Sequence, residues 1–254
     1  MNKIYDVRSV KIGAGKPKII VPIVGKTQTE ILDKAAQMDL SGIDFIEWRV
    51  DFYEDVFDFD KVEAVAASMR GLLGETPIIF TFRTLKEGGE KAIDMEAYTE
   101  LNRIVAASGY VDIIDVELFS GDDIVKNNVQ NIHSAGKLVI MSNHDFHKTP
   151  SEDELIFRMK KMIELEGDIP KIAVMPNSME DVLTLLSATL KMYKQYADRP
   201  IVTMSMSSMG VISRLAGSAF GSAMTFGAVG QVSAPGQIPV EQLNQVLEIL
   251  LKAM

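Results

Sequence analysis

The chain contains no cysteine, which excludes disulfides, zinc–thiolate centres and thiol catalysis. Histidine is almost as scarce, with three residues at His133, His144 and His147, so imidazole chemistry has few places to reside. Basic charge is in deficit: 26 Lys and Arg stand against 35 Asp and Glu, for a net charge of −9. That balance argues against a nucleic-acid or anionic-membrane surface, although a few local arginines suffice to hold a small anion. No apolar run approaches the roughly 18 residues needed to cross a bilayer. The opening Met-Asn-Lys-Ile-Tyr-Asp-Val-Arg lacks the apolar stretch of a signal peptide, so a cytoplasmic protein is expected. A phosphate loop is missing as well. Gly25-Lys26-Thr27 follows an apolar strand, but Ile20 stands where that motif needs its first glycine. Gly13-Ala14-Gly15 reads as a turn. There is no low-complexity tract, charge block or linker, and one domain over residues 1–254 is expected.

What the chain does have is core. With 254 residues, 47% of them hydrophobic, it matches the usual size of an α/β barrel, about 250 residues. Short β-type runs at 18–25, 44–51, 77–83, 110–118, 137–143, 169–175, 200–207 and 222–229 alternate with amphipathic helical patterns. Those helices are expected over 28–38, 60–73, 95–108, 122–135, 152–166, 179–196, 210–216 and 240–252. Thr27 with Glu30 reads as a capping box, as does Thr149 with Glu152, with Pro150 at the first helical position. Eight strand–helix units at this spacing favour a closed (β/α)₈ TIM barrel over a doubly wound open sheet. The residues before Lys18 are expected to form an extra N-terminal strand or hairpin covering the barrel floor.

Lys171 lies in Ile169-Pro170-Lys171-Ile172-Ala173-Val174, a run that reads as a buried strand. Taken alone, the segment favours the plainer of two readings, a strand-edge lysine whose head reaches water. In the other, a truly buried amine is shifted toward its neutral form and serves as a nucleophile for Schiff-base chemistry. Several strands end in charge. Alternation puts Glu47, Arg49 and Asp51 on one face of the second strand and Trp48 with Val50 on the other, toward the helices. Arg83 ends the third strand, Asp112, Asp115 and Glu117 are expected to place acids on one face of the fourth, and Ser142-Asn143-His144-Asp145 closes the fifth. Each pair can be read as a structural ion pair, but recurrence at one rim suits the lining of a site at the C-terminal face of a barrel.

Among the histidines, His144 suits general acid/base work. His133 is expected on a surface, and His147 outside the site. A His144/His147 metal pair is a weaker alternative. Arg214 is expected to be exposed on a short helix, Met206 reads as core filler, and Ser233-Ala234-Pro235-Gly236-Gln237 as a flexible loop.

Taken together, Glu47-Trp48-Arg49-Val50-Asp51, Phe82-Arg83, Glu87-Gly88-Gly89-Glu90, Ser142-Asn143-His144-Asp145-Phe146-His147-Lys148-Thr149-Pro150 and Pro170-Lys171-Ile172-Ala173 are specific. With Ile212-Ser213-Arg214 and the 233–237 loop they closely resemble the type I 3-dehydroquinate dehydratases, in order and over nearly the whole chain. The resemblance implies a shikimate-pathway enzyme converting 3-dehydroquinate to 3-dehydroshikimate and water, as a homodimer and with no metal or other cofactor. It implies Lys171 as the Schiff-base nucleophile, His144 as acid and base, and Glu87 as the carboxylate partner of that histidine. Glu47, Arg49, Arg83, Arg214, Ser233 and Gln237 would hold substrate, with Met206 and Phe226 as apolar wall. The arginines would also help keep the Lys171 amine neutral. One departure is Pro22, where some relatives carry a site-lining serine; proline offers neither hydroxyl nor N–H. Two other enzymes remain open, a class I aldolase sharing the imine step and a metal-dependent barrel hydrolase, as does a catalytically silent binding barrel.

Overall fold

The computed structural model describes residues 3–229 and 238–254. β1 (Tyr5–Val7) and β2 (Val10–Ile12) pair as an antiparallel hairpin. Strands and helices then alternate: β3 (Lys18–Ile23), α1 (Gln28–Gln37), β4 (Phe45–Arg49), α2 (Phe59–Leu73), β5 (Ile78–Thr81), α3 (Met95–Ser108), β6 (Ile113–Glu117) and α4 (Asp122–Ser134). The second half runs β7 (Leu138–Asp145), α5 (Glu152–Glu164), β8 (Ile169–Val174), α6 (Met179–Lys191), β9 (Val202–Ser205), α7 (Val211–Leu215), α8 (Gly217–Phe220), β10 (Met224–Phe226) and α9 (Val240–Ala253). The eight strands from β3 onward are parallel, in the order β10-β3-β4-β5-β6-β7-β8-β9. A bridge between Ile201 and Ser222 brings the two ends of this sheet together. Ser222 Oγ reinforces it by accepting from the Thr203 N–H at 3.1 Å. The (β/α)₈ barrel and its N-terminal hairpin are thus as expected. No helix among the described residues is long and apolar enough to cross a membrane.

The inside of the barrel is built in steps of two residues, the side-chain period of a strand. Ile20, Phe45, Ile79, Ile113, Ile140, Ile169, Val202 and Met224, one from each strand, form a buried apolar layer. Tyr5, Val7 and Ile12 of the hairpin close that layer from below. Two residues further along, five of the strands turn polar, with Glu47, Thr81, Asp115, Ser142 and Lys171 all buried, while β3, β9 and β10 present Pro22, Met204 and Phe226. The alternate face, including Trp48, Phe80, Val116, Met141 and Ile172, packs against the helices. A one-residue slip of any strand would exchange these faces, so the apolar layer fixes which side chains enter the site.

Three aspartates set the strand starts. Asp44, Asp112 and Asp168 each directly precede a strand and accept an N–H from the strand before it: Ile19 at 2.8 Å, Ile78 at 2.8 Å and Val139 at 2.9 Å. Asp112 therefore does not share a face with Asp115 and Glu117 as the sequence suggested. It lies at the floor, where Arg8 and Arg70 pair with it at 2.7 Å each. Asp168 also engages His133 Nε2 at 2.7 Å, so that exposed histidine ties α4 to the foot of β8.

Helix starts follow local side-chain chemistry. Thr27, Asp58, Asp94, Ser151 and Ser178 each accept the N–H three residues on, a cap worth about 1 kcal/mol. The α5 cap is Ser151 rather than the expected Thr149. The Thr149 hydroxyl donates instead to Met175 O at 3.0 Å, beyond the end of β8. β4 is also shorter than expected, ending at Arg49 before a tight turn over Val50–Phe52 that carries Asp51.

Candidate active site

Lys171 is the third residue of β8 and only 3% exposed, so its head does not reach water. Its Nζ donates to Asp115 Oδ2 at 3.0 Å and lies 3.5 Å from Glu47 Oε1. The Phe226 ring lies below it, centroid 5.0 Å away. The charges against the amine are therefore carboxylates, not the arginines expected from the sequence. Of those arginines, Arg49 and Arg83 are paired with carboxylates of their own.

Arg83 is the centre of the polar layer. Nη2 donates to Asp115 Oδ1 at 2.8 Å, and Nη1 donates to Glu117 Oε1 and to Ser142 Oγ at 2.9 Å each. Glu87 Oε2 is 3.6 Å from the same Nη1. Ser142 in turn donates to Asp115 at 2.6 Å, and Thr81 to Glu47 at 3.0 Å. Glu117 accepts from the Thr84 N–H and hydroxyl, at 2.8 and 2.7 Å. Burial pushes the Asp115 carboxyl up, but the Arg83 and Lys171 charges outweigh it and hold the group well below the usual carboxylate range. Fully buried ions persist only when compensated in this way; removing one partner of such a cluster typically costs about 3–5 kcal/mol.

Glu87 reaches the site from a tight turn over Leu85–Glu87 that follows β5. Two glycines permit this turn. Gly88 takes a left-handed φ of 80°, and a Cβ there would meet the Phe146 ring at 2.4 Å; a Cβ on Gly89 would meet the Arg83 carbonyl oxygen at 1.8 Å. Glu87 Oε2 accepts from the His144 N–H at 3.0 Å and lies 3.0 Å from His144 Nδ1. Its Oε1 accepts from Asn143 Nδ2 at 3.0 Å. Burial is the main influence on this carboxyl and pushes it up to about 7, against the Arg83 charge that pulls it down. Burial, then the charges of Arg83 and Lys171, holds His144 well below its ordinary value, so its imidazole is neutral near pH 7. With Nδ1 turned to Glu87, the nitrogen left for chemistry is Nε2. His144 and Lys171 stand on neighbouring strands, since Lys171 registers with Ser142, two residues before His144.

The remaining expected residues divide. Arg49 forms a two-bond pair with Asp51, 2.8 Å for each contact, and its charge also reaches His144. Met206 directly follows β9 and packs on the inner apolar layer with Phe226. Pro22 lies in β3, in register with Glu47. His147 is exposed. Arg214 is not: on α7 it is 9% exposed, and its Nε has no hydrogen-bond partner among the described residues. Burial alone acts on it and lowers its pKa. A desolvated guanidinium of this kind is a receptor for an anion. Ser233 and Gln237 lie outside the described residues. The sequence placed Asp115 and Ser142 among the polar strand ends but assigned neither a role in the site. Their signal was the two-residue step: both stand one inward position above the apolar layer, as Lys171 does.

The geometry amounts to a buried amine, two carboxylates against it, a neutral imidazole oriented by a third carboxyl, and a buried arginine whose Nε has no partner among the described residues. A family model for type I 3-dehydroquinase matches residues 19–253. A curated 3-dehydroquinate dehydratase from Clostridium botulinum (strain Eklund 17B / Type B) is 55% identical over 250 residues, covering 98% of each chain. Another, from Escherichia coli O17:K52:H18, is 54% identical over 251 residues, covering 99% of this chain and 100% of that one. A crystal structure of the type I 3-dehydroquinate dehydratase from Clostridium difficile, with covalently modified comenic acid, superposes with a TM-score of 0.97. It is 50% identical and covers 100% of this chain and 99% of that one.

Proposed function

The chain belongs to the type I 3-dehydroquinase family, and we propose that it removes water from 3-dehydroquinate through an imine formed on Lys171. The observation carrying this reading is a lysine 3% exposed inside the barrel, one inward step from a neutral histidine on the next strand. Nucleophilic attack needs the free amine, and the neutral His144 Nε2 is a base for the proton that Lys171 releases. Attack on the C3 ketone produces a carbinolamine, and loss of its hydroxyl as water leaves a protonated imine. Its positive charge lies where the ammonium stood, so Asp115 and Glu47 compensate both species. His144 then removes the C2 proton, and the electron pair moves into the imine to form an enamine. The enamine expels the C1 hydroxyl, which leaves as water with the proton from His144. Hydrolysis of the product imine returns Lys171 and releases 3-dehydroshikimate. Glu87 keeps Nδ1 turned away from substrate and compensates the imidazolium that forms between the two proton transfers.

The imine itself is the electron sink, so this chemistry calls for no metal or other cofactor. Arg214 fits the substrate carboxylate. Glu47, Arg49 and Arg83 hold the polar rim, with Met206 and Phe226 as apolar wall, and Ser233 and Gln237 complete the set by family likeness. Pro22 withholds one polar contact, for a small change in affinity. The same reading includes a cytoplasmic homodimer.

The test is borohydride reduction in the presence of 3-dehydroquinate or its product, followed by peptide mass analysis. An adduct on the peptide containing Lys171 is expected, and its absence beside measured turnover rules out the imine. Arg214→Ala is expected to raise KM by roughly 10- to 100-fold, the size of a lost charged hydrogen bond. The melting temperature should stay level or rise, because an uncompensated buried charge has been removed. An unchanged KM refutes the assignment of Arg214 to the carboxylate.

A further inference from the structure

We propose that Arg158 and Asn143 form a positioning relay that keeps the amide of Asn143 turned so that Glu87 remains the anionic partner of His144. The proposal rests on the reading of His144 as acid and base, and adds two residues that the mechanism above does not use.

Arg158 projects from α5 with its side chain 14% exposed. Its Nε donates to Glu154 Oε1 at 2.7 Å, and its guanidinium lies 5.4 Å from the Phe119 ring centroid. Nη1 donates to Asn143 Oδ1 at 2.8 Å, and Asn143 Nδ2 donates to Glu87 Oε1 at 3.0 Å. Asn143 is itself buried, at 4% exposure. An asparagine amide presents an acceptor and a donor of nearly equal shape, and only its neighbours decide which end faces which way. Here the neighbours leave one choice. A guanidinium can only donate and an ionised carboxylate can only accept, so the amide oxygen faces Arg158 and the nitrogen faces Glu87. Without Arg158 the Glu87 carboxylate alone orients the amide, and the turned-over form, with its oxygen toward Glu87, becomes available once Glu87 takes up a proton to donate to it. Removing Arg158 therefore favours the protonated pair.

The charges around this pair come from four elements. Arg83, following β5, and Glu117 and Asp115 on β6 act on Glu87. Lys171 on β8, Arg49 on β4, Arg83 and Asp115 act on His144. The Asn143 donor is among the influences that hold the Glu87 carboxyl down, so its loss has a definite sign. The pair then gains its extra proton at higher pH, and neutral His144 beside ionised Glu87 becomes scarcer on the acid side.

The experiment is the pH dependence of kcat for dehydration by the full chain and by Arg158→Met, Arg158→Lys and Asn143→Leu. In parallel, the His144 imidazole is titrated by NMR, where only three histidines give signals. Asn143→Leu is expected to move the acid limb of kcat upward by about one pH unit, with KM little changed. Arg158→Met should move it in the same direction by less. Arg158→Lys should return it toward the parent value, because an ammonium can donate to Oδ1 but cannot accept from the flipped amide. The His144 titration should follow the same order. If Arg158→Met and Asn143→Leu lower only the melting temperature and leave both the acid limb and the His144 titration in place, the residues are structural and the relay is wrong. If the parent protein fails to dehydrate 3-dehydroquinate at any pH, the underlying reading falls instead. The NMR titration still decides whether the relay exists.

Discussion

Lys171→Ala is expected to lower dehydration by about 10⁴-fold or more, the scale on which enzymes lose rate when a covalent nucleophile is removed. The borohydride-trapped adduct should vanish with it. The effect is this large because no other amine in the polar layer can replace it: the other cation at the centre is Arg83, whose guanidinium is held by Asp115, Glu117 and Ser142. The variant should also lose stability. Asp115 keeps Arg83 but loses a 3.0 Å partner, and Glu47 loses the charge 3.5 Å away. Lys171→Met preserves most of the side-chain volume and separates the two consequences. It should be as inactive as the alanine variant while unfolding closer to the parent. Turnover surviving in both, with no adduct in the parent, would remove the imine from the mechanism.

His144→Ala is expected to lower kcat by roughly 10²- to 10⁴-fold, the usual span of general acid–base catalysis. Its signature differs from that of Lys171. Imine formation is slowed, but proton removal at C2 and proton delivery to the leaving hydroxyl are both crippled, so covalent adduct should accumulate during steady-state turnover. Mass analysis of the intact protein, with and without borohydride, measures that fraction directly. A steady-state rate equal to that of the parent would contradict the role. The folding cost should be modest, since Glu87 keeps the Asn143 donor and the His144 backbone N–H when the imidazole is gone.

Most of the barrel was legible because its signal is local. An apolar run, a turn and an amphipathic stretch each lie within a few residues, and repeating them eight times leaves few topologies. Strand ends were less so. The alternation through Glu47, Arg49 and Asp51 continues on paper, but the backbone leaves β4 after Arg49, and Asp51 becomes a buried acceptor for Arg49 and for the Arg83 and Glu90 N–H groups. The α5 cap moved two residues because the Thr149 hydroxyl had a better partner beyond the end of β8, which no local pattern encodes. Arg214 was misjudged for a similar reason. Arginine on a short helix is ordinarily solvated, and only the tertiary packing around α7 buries it.

The residue types at the site, their order and the strands that carry them were determined by the sequence: a lysine in an apolar run, a histidine closing the strand before it, and arginines and acids at strand ends. Their partners were decided by the tertiary structure alone. Whether Lys171 snorkels or is enclosed depends on closure of the barrel around β8. Whether its neighbours are arginines or carboxylates depends on the register between β6, β7 and β8, which sets Asp115 within 3.0 Å of Nζ. Coulomb interactions and desolvation depend on distance and enclosure, which are three-dimensional quantities. Sequence periodicity specifies which face a side chain leaves from, and only the closed sheet specifies what it meets there.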